Sequence, residues 1–186
     1  MVPAGSRYDA GMDTQITAEE LKSLLRLQPH PREGGWFRET WRAGEVVPGH
    51  ALPARYAAGR SGDRAAGTAI YYLLEPNSFS EMHRLQSDEV FHFYLGDPVE
   101  MLQLFPDGNG RRVVLGRDIA AGASPQVVVP QSVWQGSRLV SGGRLALLGC
   151  TVSPGFEYED YESGRREELI QHWPEWRDLI TALTHG

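Results

Sequence analysis

The sequence predicts an all-β domain, an antiparallel sandwich or barrel, with a short helix before it and helices after it. Three observations carry that reading. From Thr68 onward the chain breaks into short runs rich in Val, Leu, Tyr and Phe: Thr68–Leu74, Met82–Leu85, Glu89–Leu95, Val99–Phe105, Arg111–Leu115, Gln126–Val129, Val133–Leu139 and Arg144–Val152. Turn clusters such as Glu75-Pro76-Asn77, Pro106-Asp107-Gly108-Asn109-Gly110 and Ser141-Gly142-Gly143 separate them. No helical periodicity intervenes, and short strands spaced in this way belong to antiparallel sheets.

Taken in order, residues 1–15 read as a loose polar leader and residues 16–186 as one domain, the usual outcome for a chain of this length. Thr17-Ala18-Glu19-Glu20 matches a capping box, followed at helical spacing by Leu21, Leu24 and Leu25. This helix should stop before Pro29. Gly34 and Gly35 suggest a turn, and Trp36 to Arg42 a strand with Trp36, Arg38 and Thr40 on one face and Phe37, Glu39 and Trp41 on the other. Either Arg38 or Glu39 then points inward. Residues 44–67 show no firm period and read as a long connection with a short strand at Val46 and Val47. After the strands, residues 164–172 and 175–184 read as helices, the second opened by Pro174. The Phe156, Tyr158, Asp160, Tyr161 stretch either covers the mouth of the barrel or seats these helices, and seating is the preferred reading.

Composition narrows the function. The net charge of −6 offers no basic surface for nucleic acid. Cys150 is the single cysteine, so no intrachain disulfide or thiolate zinc site forms, and its apolar surroundings suit a buried, inert thiol. Nothing reaches the roughly 18 apolar residues of a membrane span, and the start lacks a signal pattern. The expected location is cytoplasmic.

Chemistry concentrates between Ser80 and Gly96, where His83, Glu89 and His92 sit among strand-forming aromatics. A carboxylate among Val90, Phe91, Phe93 and Tyr94 is costly unless it is paired, hydrogen-bonded or metal-bound. His83 precedes Glu89 by six residues, and Gly96 follows seven later; further on, Pro130 precedes Gln135 by five. This pattern resembles the cupin superfamily, whose first motif carries His, a second His two residues on, Glu and then Gly, and whose second carries Pro followed by a fourth ligand. More closely, HPREGGWFRETWR, IYYLLEPNSFSEMHRLQSDEVFHFYLGDPVEMLQL, VVVPQSVWQGSRL and LLGCTVSPGFEYEDYE are similar to a family of small single-domain cupins, a domain of unknown function.

The resemblance implies a double-stranded β-helix, the jelly-roll barrel, commonly dimeric, with a small-molecule pocket inside. It also shows departures: Leu85 stands where the second histidine would be and Gln135 where the fourth ligand would be. Three functions stay open. The first is proton transfer on a sugar-like or other small metabolite, as in cupins that epimerise nucleotide-linked keto sugars, with His83 as base and Glu89 orienting it. Arg38, Tyr72, Tyr94, Trp134 and Gln135 would then line the ligand site, Arg38 binding an anionic group. The second is a metal centre of His83, Glu89, His92 and Gln135 holding Fe(II), Mn(II), Ni(II) or Zn(II). It meets a parity problem, because residues 89 and 92 of a regular strand face opposite ways unless a β-bulge lies between them. The third is a non-catalytic binding module. Exposed strand edges further suggest a homodimer; light scattering should give about twice the 20.7 kDa chain mass, and 20.7 kDa itself would rule the dimer out.

Overall fold

The computed structural model describes residues 16–57 and 62–185; the expected leader lies outside the described residues. Helix α1 (Ala18–Leu25) carries the expected capping box: the Thr17 hydroxyl accepts the Glu20 N–H at 3.2 Å, and the Glu20 carboxylate accepts that of Thr17 at 2.8 Å. Four strands follow: β1 (Gln28–Pro29), β2 (Trp36–Arg42), β3 (Val46–Val47) and β4 (Arg64–Ala65). The main run comprises β5 (Thr68–Leu74), β6 (Phe79–Arg84), β7 (Asp88–Gly96), β8 (Val99–Leu104) and β9 (Gly110–Leu115). Then come β10 (Gln126–Val129), β11 (Trp134–Leu139), β12 (Ala146–Ser153) and β13 (Glu162–Ser163), and finally α2 (Arg166–His172) and α3 (Arg177–Ala182).

These strands form a six-stranded sheet, β1-β2-β5-β12-β7-β10, and a five-stranded sheet, β13-β6-β11-β8-β9; β3 and β4 pair separately. Tyr72, Phe91 and Leu148 from the first sheet meet Val99, Met101 and Leu139 from the second in one core. The architecture is the two-sheet jelly-roll that the sequence resemblance implies, with short helices. Outside it, α1 covers one end of the six-stranded sheet through Leu21 against Leu73, Leu145 and Leu147. Helices α2 and α3 cover the five-stranded sheet, Leu169, Trp173, Ile180 and Leu183 packing on Met82, Leu102 and Leu104. The last turn is also pinned by backbone, since the Met82 N–H donates to the Leu183 carbonyl at 2.7 Å.

Two irregularities decide which side chains face inward. On β6 the register against β11 slips, Gln135 facing His83 but Ser137 facing Ser80, so one extra residue sits between them. That bulge turns Ser80 and His83 to the same face and Met82 to the helices. On β2 the register slips between Glu39 and Trp41. Phe37, Glu39 and Arg42 therefore line the interior, whereas Trp41, expected to share a face with Phe37 and Glu39, is exposed.

The connection of residues 44–67 is fastened at Arg64, whose guanidinium makes a bidentate pair with Asp160 at 2.9 Å through both bonds, each residue about 5% exposed or little more. Such a pair holds the wall-forming residues 156–161 in place. Removing one partner leaves a buried charge alone, so Arg64→Leu should lower unfolding free energy by about 3–5 kcal/mol in chemical denaturation; a loss within error would show that the pair does not restrain this segment.

Candidate functional site

A cavity of about 560 Å³ lies inside the barrel. The six-stranded sheet contributes Phe37, Glu39, Thr68, Ile70, Glu89, Cys150 and Val152 to its walls, and β6 contributes His83. The segment 28–33 and the stretch Phe156-Glu157-Tyr158 complete it. The latter lines the cavity, and none of its residues joins the cluster under the helices, so the preferred reading of that stretch as a helix seat is corrected; Tyr161 packs instead with Leu85, Val152 and Phe156.

Deep in the wall, one amide joins the two motif residues. Gln135 Nε2 lies 2.8 Å from His83 Nε2 and 3.2 Å from Glu89 Oε2. His83 Nδ1 lies 2.8 Å from the Glu81 carbonyl, which only accepts, so Nδ1 carries a proton and the Nε2 lone pair takes the amide hydrogen. Tyr161 stacks on the imidazole at 4.7 Å between centroids and donates its hydroxyl to Glu81 Oε1 at 2.8 Å. Of the residues joined by the amide, Glu89 is the carboxyl that lines the cavity. Burial pushes its pKa up to about 8, helped by the nearby Glu33 carboxylate, against hydrogen bonds from Cys150 and Gln135 that favour the anion.

A second acid–imidazole pair shares the cavity. The chain from His30 to Gly35 closes on itself, the His30 N–H donating to the Gly35 carbonyl at 3.0 Å. Gly34 (φ 93°) and Gly35 (φ 67°) make this turn, and a Cβ on Gly34 would fall 2.3 Å from the Phe79 carbonyl oxygen. The turn delivers Glu33 to β6, where its carbonyl accepts the Glu81 N–H at 2.8 Å and its carboxylate accepts the Ser80 hydroxyl at 2.5 Å. Burial holds the His30 pKa below the usual histidine value.

Comparison with known proteins now decides the family. A family model described as "Cupin superfamily (DUF985)" matches residues 19–164. The chain belongs to this cupin family. An uncharacterized protein of Saccharomyces cerevisiae, YML079W, is 30% identical over 149 residues, 76% of this chain and 72% of that protein. Among solved structures, a hypothetical protein from Leishmania major superposes with a TM-score of 0.80 at 31% identity, covering 92% of this cupin and 100% of that chain. Protein SO0799 from Shewanella oneidensis gives 0.79 at 30%, covering 92% and 99%.

Against the general cupin pattern, this cupin brings together His83, Glu89 and Gln135 but not His92. The register slip on β7 falls at Tyr94, between Phe93 and Leu95, and not between Glu89 and His92. His92 therefore points out of the barrel, its Nε2 3.3 Å from the Thr151 hydroxyl and its Nδ1 3.3 Å from Gln126 Nε2. Leu85 offers no donor atom, and the Gln135 amide turns hydrogens toward both His83 and Glu89. Among the described residues no group of three His, Cys, Asp or Glu side chains is placed to hold a metal. This donor set does not fit a first-row metal, which takes three or four ligands.

The other candidate ligand residues scatter. Tyr72 is wholly buried, donating to the Gly34 carbonyl at 2.8 Å, and supports the turn from behind. Arg38 lies over Tyr71 at 5.6 Å on the outer face of the sheet, so it is not available to an anion in the cavity. Tyr94 is 51% exposed on the same outer face, stacked on His92. Trp134 packs with the helices under Arg84, 4.4 Å away. Sequence reasoning missed His30 and Glu33; the paired glycines after HPRE were the available signal. Also among the described residues, no helix is long and apolar enough to cross a membrane.

The raised Glu89 pKa has a stability consequence. Between 4.5 and about 8 the folded protein keeps a proton that the unfolded chain releases, so this group lowers stability as pH rises through that window and contributes nothing below it. Denaturation at a series of pH values should show Glu89→Gln gaining stability relative to wild type as pH rises from 5 to 8. A difference independent of pH would mean that Glu89 ionises normally.

Proposed function

We propose that this cupin binds a small polar metabolite inside its barrel and that Glu89 exchanges a proton with it. The supporting observation is a buried carboxyl on the wall of a cavity inside the barrel, raised to about 8 and so poised near neutral pH for either direction of transfer. His83 is then a positioning residue: fixed by the Glu81 carbonyl and Tyr161, it orients the Gln135 amide that also contacts Glu89. Proton transfer next to a carbonyl fits these groups without a metal. The C–H bond breaks, its proton goes to the Glu89 carboxylate and its electron pair into the enolate. Return of the proton to the same carbon from the other side gives epimerisation; its return to the neighbouring carbon, with the hydroxyl proton passing from one oxygen of the enediolate to the other, gives isomerisation, and neither needs an external oxidant or reductant.

Incubating the protein in D2O with a panel of aldoses, ketoses and hydroxyketones, and following their C–H signals by NMR, tests this directly. Solvent deuterium should enter one compound class, and Glu89→Gln should slow its entry by about 10²–10⁴-fold. A compound that raises the melting temperature yet never exchanges would make the protein a binding module and end the proton-transfer reading.

A further inference from the structure

His30 and Glu33 line the same cavity and take no part in the chemistry assigned to Glu89. The His30 side chain is 4% exposed and set edge-on against Phe37 at 4.6 Å. Its Nδ1 accepts the Glu33 backbone N–H at 2.8 Å and faces that of Arg32 at 3.4 Å, so the neutral ring carries its proton on Nε2. Among the described residues that N–H has no hydrogen-bond acceptor; Glu33 Oε2, 3.8 Å away, is out of range. Glu33 Oε1 is engaged by Ser80, which leaves Oε2 open. One donor and one acceptor thus stand 3.8 Å apart on the cavity wall. A hydroxyl oxygen between them can accept from His30 and donate to Glu33 with both legs near 2.8 Å, the usual O–H···O and N–H···O range of about 2.7–3.0 Å.

Charge restricts what else that ligand carries. Glu33, Glu39, Glu89 and Glu157 line the cavity, and Arg42 is the one cationic residue among the described lining residues. Its charge is already matched by two carboxylates, and four of its five N–H groups are engaged, by Glu39 at 2.9 and 3.2 Å, Glu157 at 2.7 Å and the Phe156 carbonyl at 3.2 Å. Arg38 faces away. A phosphate or carboxylate entering this space would meet more acids than cations, and its one cation is already paired with two of those acids. We infer that His30 and Glu33 form a hydroxyl-binding subsite and that the cavity takes a polyhydroxylated ligand bearing no phosphate or carboxylate. The inference rests on the reading that the cavity binds a small molecule, and it is independent of proton transfer at Glu89.

The test is an NMR titration of the His30 imidazole in ¹⁵N-labelled full-length protein, using sorbitol, glucosamine and gluconate at equal tens-of-millimolar concentrations. Sorbitol or glucosamine should shift His30 saturably, and gluconate should bind at least about tenfold more weakly. Glu33→Gln keeps the shape and removes the charge, so gluconate's disadvantage should shrink; where Glu33→Gln does not fold, His30→Asn, which keeps an acceptor for the turn, should weaken binding of all three, followed at the backbone amide of Gly35 in place of the lost imidazole. Gluconate binding as well as sorbitol overturns the ligand class while leaving the small-molecule cavity intact. Absence of a saturable His30 shift with all three probes overturns the subsite; the wider cavity reading then stands or falls on the deuterium-exchange panel.

Discussion

Gln135 extends one primary amide into the barrel, and two buried polar side chains, His83 and Glu89, depend on it. Its two amide hydrogens reach the lone pair of His83 Nε2 and the Oε2 of Glu89. Around them the core is Tyr72, Phe91, Met101 and Leu148, and an unpaired polar group there costs about 1–3 kcal/mol. An imidazole could not substitute without changing the chemistry, because a neutral ring has a single N–H to share. The departure from the general cupin pattern at this position therefore changes which contacts the interior side chain makes. Where a fourth metal ligand would stand, a hydrogen-bond donor joins a base to an acid.

The rest of the barrel serves to place that cluster and close space around it. The bulge on β6 turns Ser80 and His83 to the same side, so one strand holds both the stacked histidine and the hydroxyl that engages Glu33. The glycine turn then brings His30 alongside. The Arg64–Asp160 pair tethers the stretch whose Phe156 and Tyr158 line the cavity.

Much of this was legible in the chain itself. Period-two alternation and turn clusters placed the strands, because a residue's face follows from parity wherever the ladder is regular. His83, Glu89 and Gln135 came from motif spacing, and parity correctly opposed His92. Trp41 was misplaced because Thr40 sits at a register slip that parity does not register. Trp134 was misplaced for another reason: helices cover the outer face of its sheet, so an apolar side chain is at home on either side. His30 and Glu33 escaped because their environment depends on Ser80, 47 residues beyond Glu33. Nothing local announces such a closure.

The end of the described chain is woven into the same region. Leu183 supplies a carbonyl to the Met82 N–H on β6, and His185 Nε2 lies 3.6 Å from Glu81 Oε2. The other oxygen of Glu81 receives Tyr161 and Ser163, and Tyr161 stacks on His83. Whatever pulls His185 away from that carboxylate is therefore passed, through Glu81 and Tyr161, to the orientation of an interior imidazole.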